Sequence, residues 1–215
     1  KYTSLLWEPN EYINIMVYPF TDSQILGIST FPYSLKDFFL EGTQQVSASW
    51  ITLENLSFPY CISINSSYIY EQSTDERINQ NDAAITLAHE LGHYLGLRHV
   101  FSEGGTTSMC TDTDYCKDTP SYNRSEYEQW LNNLDKQNKY QLKDLAKRYS
   151  CEKGEYEAHN IMDYAYCFYN EITLEQRKRI RHILNYSPLI PGPKESRIDT
   201  RGVQGRLNLP ICIMK

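Results

Sequence analysis

Three of the chain's five histidines fall within one stretch, LAHELGHYLGLRH, together with a carboxylate and two glycines. On a helix His89 and His93 lie four residues apart, so both side chains leave the same face one turn apart. That spacing lets two imidazoles reach one zinc ion at about 2.0–2.1 Å. Glu90 projects from an adjacent angle, close enough to hold a water on the metal without displacing it. His-Glu-x-x-His therefore supplies two ligands and the general base of a metal-dependent hydrolase. His99 needs a further argument. A continuous helix would put it about 240° round from His93 and roughly 9 Å further along, pointing away from the metal. The helix must end between them, and Gly96 can end it, because glycine adopts positive φ at little cost and redirects the chain. Gly96 thereby belongs to the ligand set. An amphipathic helix with histidines on its polar side is the alternative, but His-x-x-x-His alone would satisfy it, without the Glu, the Gly and the third His.

The elements that must carry these residues are legible in outline. Residues 82–95 have apolar side chains at 84, 87, 88, 91 and 95, which is helical periodicity, with Asn81 or Asp82 as N-cap. Upstream, residues 11–18 alternate as a strand that Pro19 ends, and 25–31 form a second strand closed by Pro32. Residues 60–70 resemble a strand with a polar interruption. The stretch 34–45 is ambiguous, since Leu35, Phe38 and Phe39 hint at a helical turn that Gly42 would stop. Residues 102–122 are loop-like, 126–149 return to helical spacing, and Thr173 with Gln176 forms a capping box. That last helix buries Ile180, Ile183 and Leu184. From residue 187 the text SPLIPGPKES is linker-like, giving a catalytic domain over 1–187 and a linker or tail over 188–215.

A chain of 215 residues can bury one sizeable core. Its net charge of −6 argues against nucleic acid, and RKRIR at 177–181 fits a solvated helix face. No apolar run approaches the roughly 18 residues of a membrane span. The chain opens without the basic and apolar regions of a signal peptide, as a mature secreted chain would. Its six cysteines include no Cys-x-x-Cys pair, so a zinc ribbon is not expected. They suit either disulfides that staple loops in an oxidising compartment or buried free thiols. In TDTDYCKDTP, Asp112, Asp114 and Asp118 form either a shared cation site or a solvated acidic loop with Asx-turns.

The elongated pattern His-Glu-x-x-His-x-x-Gly-x-x-His resembles that of the metzincin metallopeptidases, whose hallmark is a downstream Met-turn. HNIMDYAYC offers one. The wider text is similar to the pappalysin branch through HELGHYLGLRHVF, Gly104-Gly105, DTP, NIMDY, a following Cys and ITLEQRKRI, preceded by LWEPNEYINIMV and ILGISTFP. The resemblance covers residues 5–186. It implies an α+β metzincin-type zincin: an α/β-like upper subdomain with a twisted, mostly parallel sheet and the active-site helix, then the Met-turn, and an irregular, disulfide-stapled lower subdomain with a C-terminal helix. It also implies that His89, His93 and His99 bind zinc and that Glu90 activates the attacking water and passes its proton to the leaving amine. Met162 would form the apolar floor, and Tyr164 would alternate between weak ligand and donor to the oxyanion. Relatives staple this region twice, which implies pairing of Cys110 with Cys151 and of Cys116 with Cys167, leaving Cys61 and Cys212 to pair or stay free. They also hold calcium around the same Asp-Tyr and Asp-Thr-Pro text, which implies Asp114 and Thr119 as calcium ligands.

Three features depart from the family pattern. Its first strand and long backing helix would precede LWEPNEYINIMV, where this chain opens. Residues 121–159 look helical where relatives carry a shorter loop. Cys167 follows Tyr166 at once, where arginine-preferring relatives soon carry an Asp, so basic specificity does not transfer with the motif. The expectation is a secreted or otherwise extracytoplasmic zinc endopeptidase, periplasmic or cell-surface if bacterial, acting on protein or peptide substrates. It would have no nucleic-acid partner and no transmembrane segment, and nothing calls for more than a monomer. The alternatives are a non-catalytic binding module that keeps zinc as a staple, which has no need of Glu90, and a zinc amidase acting on cell-wall peptides.

Overall fold

Short runs of β-branched and aromatic residues broken by Pro and Gly become strands, and the helical periodicity of 82–95 becomes the helix packed against them. The computed structural model describes residues 3–47, 60–71, 82–102, 112–137, 141–150, 152–164, 166–192, 194 and 211–214. In chain order these form β1 (Ile15–Tyr18), β2 (Gly27–Thr30), β3 (Tyr33–Leu35), β4 (Gln44–Val46), β5 (Ile62–Asn65) and α1 (Ala83–Tyr94). There follow α2 (Arg124–Gln137), α3 (Leu142–Leu145), β6 (Lys147–Ser150), β7 (Gly154–Glu157), α4 (Leu174–Tyr186) and β8 (Ile211–Met214).

The main sheet has the order β1-β5-β2-β8. β1 runs parallel to β5, with Ile15 opposite Ile62, while β2 is antiparallel to both β5 and β8. The expected mostly parallel sheet is therefore a mixed one. Alternation along a strand decides which side chains are buried, but it carries no information about the partner's direction. The 34–45 stretch does not turn into helix; it contributes β3 and β4, a two-stranded parallel ladder. Tyr33, Leu35 and Val46 from that ladder join Ile62, Ile64, Tyr94, Ile183, Leu189 and Ile190 in the core between sheet, α1 and α4. Each fully buried Ile contributes about 1.5–3 kcal/mol.

Two stretches differ from the periodicity reading. Residues 126–149 are not one helix, because the chain leaves α3 and forms the β6–β7 hairpin. Leu142, Leu145 and Tyr149 sit at helical spacing by coincidence. Arg148 and Ser150 are buried while Tyr149 is exposed, which is the period of a strand. The expected linker is also partly structural, since Leu189 and Ile190 are core residues and β8 pairs with β2. The RKRIR face is solvated at Arg177, Lys178 and Arg181, but Arg179 is buried.

The end of α1 has a specific closure. The Gly96 N–H donates to His93 O at 2.9 Å and the Leu97 N–H to Gly92 O at 2.9 Å, with Gly96 at φ +87°. This is the Schellman arrangement, which uses a glycine to satisfy the last carbonyls of a helix. Arg179 of α4 then donates to the Gly96 carbonyl from Nε (3.3 Å) and Nη2 (3.1 Å). A Cβ at position 96 would lie 2.7 Å from Ile183 Cγ1. Gly154, also at positive φ (+80°), has nothing within 4 Å of the same position. Gly154→Ala should therefore cost only the backbone strain, about 1 kcal/mol, whereas Gly96→Ala adds overpacking of about 1–3 kcal/mol. Denaturant unfolding of the two metal-free variants checks this, and equal losses would contradict the packing role of Gly96.

Candidate active site

α1 places His89 and His93 on one face, and the turn at Gly96 returns the chain so that His99 joins them. One ring nitrogen from each of the three side chains lies within 4.8 Å of the others. His93 Nε2 and His99 Nε2 are 3.0 Å apart. Two imidazole nitrogens at tetrahedral positions around one zinc would be about 3.3 Å apart. All three rings are buried, at 0%, 1% and 7% exposure, which is exceptional for histidines unless something satisfies them.

Second partners fix the ring orientations. His89 Nδ1 lies 2.8 Å from Ile161 O and His93 Nδ1 lies 2.8 Å from Leu97 O. A carbonyl only accepts, so each Nδ1 carries the proton and each Nε2 presents a lone pair, the arrangement of metal-ligating histidines. His89 Nε2 is buried without a hydrogen-bond partner among the described residues. Burial lowers the His89 pKa to about 4, against a smaller opposing effect of the bond to Ile161. Burial also pulls His93 and His99 well down, reinforced by the neighbouring imidazoles. The three rings are therefore neutral at physiological pH, the form that binds metal. The donor set fits zinc: three neutral imidazoles and, on His89 Nε2, an unsatisfied lone pair.

Glu90 is fully buried and lies against β2. A Cβ at Gly27 would sit 2.6 Å from Glu90 Cγ and 2.9 Å from its Oε1, so only glycine lets the strand pass this close. On the other side of α1, a Cβ at Gly92 would run into Met162 Sδ. Met162, 0% exposed, thus packs directly beneath the helix that carries the histidines. Its backbone is held by Asn160, whose Oδ1 accepts from the Met162 N–H at 3.0 Å. Asn160 and Gln176 exchange side-chain bonds of 2.8 and 3.0 Å, and Gln176 is the capping-box residue of α4. The helix cap was foreseen from sequence, but its link to Met162 was not. The Tyr164 ring lies 4.4 Å from the His99 ring and 5.4 Å from that of His89, centroid to centroid. Phe101 stacks on His99 at 4.7 Å and lies 5.0 Å from the Tyr164 ring, so the three rings form one cluster.

Sequence reasoning missed Arg148, whose side chain is 0% exposed beside Asp163. Its signal was the β-alternation of KRYS, masked by the coincident helical spacing. Burial by itself would lower Arg148, but Asp163, Tyr122 and Tyr127 more than offset this and keep it charged.

Asp114 and Thr119 are brought together, but onto each other. The Thr119 hydroxyl donates to Asp114 Oδ2 at 2.7 Å and the Cys116 N–H donates to Oδ1 at 2.9 Å. Asp112 Oδ1 accepts from the N–H groups of Asp114 and Tyr115, so the loop is a nested set of Asx-turns. Burial pushes Asp114 up to about 7, partly opposed by the Thr119 bond. Among the described residues the three-histidine group is the one cluster of His, Cys, Asp or Glu arranged to hold a metal ion.

The expected bridge between Cys116 and Cys167 is not formed; both are free thiols, as is Cys61. Cys116 Sγ donates to Asp114 O at 3.6 Å, while Cys167 Sγ donates to Asn160 O at 3.3 Å. Each thiol has its own backbone acceptor, and burial pushes the pKa of Cys116 to about 12, so both stay protonated. Cys110 and Cys151 lie outside the described residues.

Comparison with known proteins finds similarity to metallopeptidases. The model of peptidase family M43, described as pregnancy-associated plasma protein-A, matches residues 42–185. An extracellular metalloprotease of Arthroderma benhamiae is 37% identical over 108 residues, 49% of this chain and 32% of that protein. One from Arthroderma otae is 32% identical over 171 residues, 78% of this chain and 49% of that protein. The chain thus spans about a third to about a half of the length of the curated relatives it matches. Mature mirolysin of Tannerella forsythia, in complex with a cleaved peptide, is 23% identical with a TM-score of 0.46, over 82% of this chain and 53% of that one. No helix among the described residues is long and apolar enough to cross a membrane. With the family match covering well over half of its length and both the helix and the Met162 segment inside the matched region, the chain belongs to the pappalysin metallopeptidases of family M43.

Proposed function

We propose that the chain is a secreted zinc endopeptidase in which His89, His93 and His99 hold the metal, Glu90 is the general base and Tyr164 stabilises the developing oxyanion. The observation that carries this reading is the convergence of three buried imidazole nitrogens within 4.8 Å, two of them on the helix that also holds the buried Glu90. Zinc bound there would polarise a scissile carbonyl and lower the pKa of a water toward about 7.

The chain's own groups supply the rest. Glu90 accepts the proton of the attacking water and returns it to the leaving amine, a role worth about 10²–10⁴-fold. The Tyr164 hydroxyl donates to the carbonyl oxygen as that oxygen gains charge. Met162 is the floor of a Met-turn, an apolar support that fixes the height of His89 and His93.

Glu90→Gln should retain one zinc per chain and lose peptidase activity on casein by a factor of about 10² or more. Zinc content by atomic emission and a fluorogenic casein assay test it together. Activity within a few-fold of the parent would remove Glu90 from the mechanism, and cleavage confined to cell-wall peptides would favour an amidase. A chelator should abolish activity, and added zinc should restore it.

The Asx-turns leave the 112–119 loop satisfied without a cation. The melting temperature of the zinc-loaded protein should accordingly stay constant as calcium is titrated to millimolar levels. Asp114→Ala should lower it with or without calcium, by the few degrees that correspond to about 1–2 kcal/mol for a chain of this size. A calcium-dependent rise that the substitution abolishes would assign Asp114 to a calcium site instead.

A further inference from the structure

Arg148 stands outside the metal site, yet its guanidinium is spent on the backbone of the segment that carries Tyr164. Nη2 donates to Tyr164 O at 3.0 Å and to Tyr166 O at 2.9 Å. Nη1 donates to Leu145 O at 2.9 Å and Lys147 O at 3.1 Å, which anchors the same group to the start of β6. Nε lies 3.4 Å from Asp163 Oδ2. Asp163 uses its other oxygen on the same segment, accepting from the Tyr164 N–H at 2.7 Å and from the Tyr122 hydroxyl at 2.5 Å. The guanidinium carbon lies 3.7 Å from the Tyr127 ring centroid and 5.2 Å from that of Tyr122, so the fork cannot tilt. Both peptide groups of Tyr164 are thus tied to one buried ion pair, N–H to the carboxylate and C=O to the guanidinium.

Packing alone does not explain this arrangement. A buried ion pair is commonly replaceable by apolar side chains of similar volume without loss of stability. What an apolar residue cannot do is donate from one rigid plane to four carbonyls at once, Nη2 to those of Tyr164 and Tyr166 and Nη1 to those of Leu145 and Lys147, which is the property of the planar guanidinium. One of those carbonyls is that of Tyr164 itself, whose ring lies 4.4 Å from the His99 ring. We infer that Arg148, acting with Asp163, is a positioning residue for Tyr164: from β6 it fixes the backbone that carries the tyrosine ring beside His99. The inference rests on Tyr164 acting as the oxyanion donor.

The test is a double-mutant cycle on the zinc-loaded enzyme with a fluorogenic peptide, combining Arg148→Met with Tyr164→Phe and recording kcat, KM, zinc content and melting temperature. Tyr164→Phe should lower kcat by about 10²-fold, the loss of one oxyanion donor. Arg148→Met should lower kcat by about 10–100-fold, as expected for displacement of a catalytic group by around an ångström, with KM and zinc content unchanged. In the Tyr164→Phe background the same substitution should cost less than about 3-fold, although its effect on melting temperature persists. Arg148→Lys should not restore kcat, because an ammonium on a flexible stem does not hold both carbonyls. If Arg148→Met does not fold, Arg148→Lys and Asp163→Asn carry the same cycle. A full penalty in both backgrounds overturns the positioning role and makes Arg148 a stabiliser only. Undiminished kcat in Tyr164→Phe overturns the reading of Tyr164 itself, and with it any need to position it.

Discussion

The structure of the site depends on where one helix stops. If α1 continued past Tyr94, His99 would project away from His93, and two imidazoles would share the face of the helix with nothing to complete them. The closure at Gly96, with Leu97 N–H returned to Gly92 O, turns the chain within two residues and sets the imidazoles of His93 and His99 3.0 Å apart. The same turn positions Leu97 O to accept from His93 Nδ1, so the residue that leaves the helix also fixes the tautomer of a ring still within it. Backbone geometry and side-chain orientation are here one constraint.

α4 is the element that holds this constraint from behind. Arg179 satisfies the carbonyl of Gly96 and also donates to Glu41 O at 2.9 Å, joining the helix end to the β3–β4 connection. Ile183 fills the space a larger residue at 96 would need. At its other end, the Gln176 cap fixes Asn160 and through it the Met162 backbone. One helix therefore supports both the turn above the imidazoles and the floor below them. Its exposed arginines and lysine surround one that is buried, which explains how a stretch that looks like a solvated face contains a structural contact.

What was legible in the sequence was local. The α1 periodicity, its stop at a glycine, and the Thr173–Gln176 capping box are consequences of residues a few positions apart, and the structure forms all three. Partner direction and long-range pairing were not legible. The antiparallel placement of β2, the return of β8 to its edge and the free state of Cys116 and Cys167 depend on how distant segments meet. Arg148 is the instructive case, because a buried strand residue and an exposed helical one give similar text when leucines fall by chance at helical spacing around it. The loop at Asp114 shows the same limit: clustered carboxylates are compatible with a cation or with Asx-turns, and the bonds that Asp114 accepts from Thr119 and Cys116 could not be read from the text.

The central claim is that the turn at Gly96 delivers a third imidazole to one metal ion. X-ray absorption at the zinc edge of the metal-loaded protein tests it most directly. The account predicts three imidazole nitrogens and one lighter oxygen donor at about 2.0–2.1 Å, falling to two imidazoles in His99→Ala. A sulfur shell at about 2.3 Å, or an imidazole count that His99→Ala leaves unchanged, would contradict it.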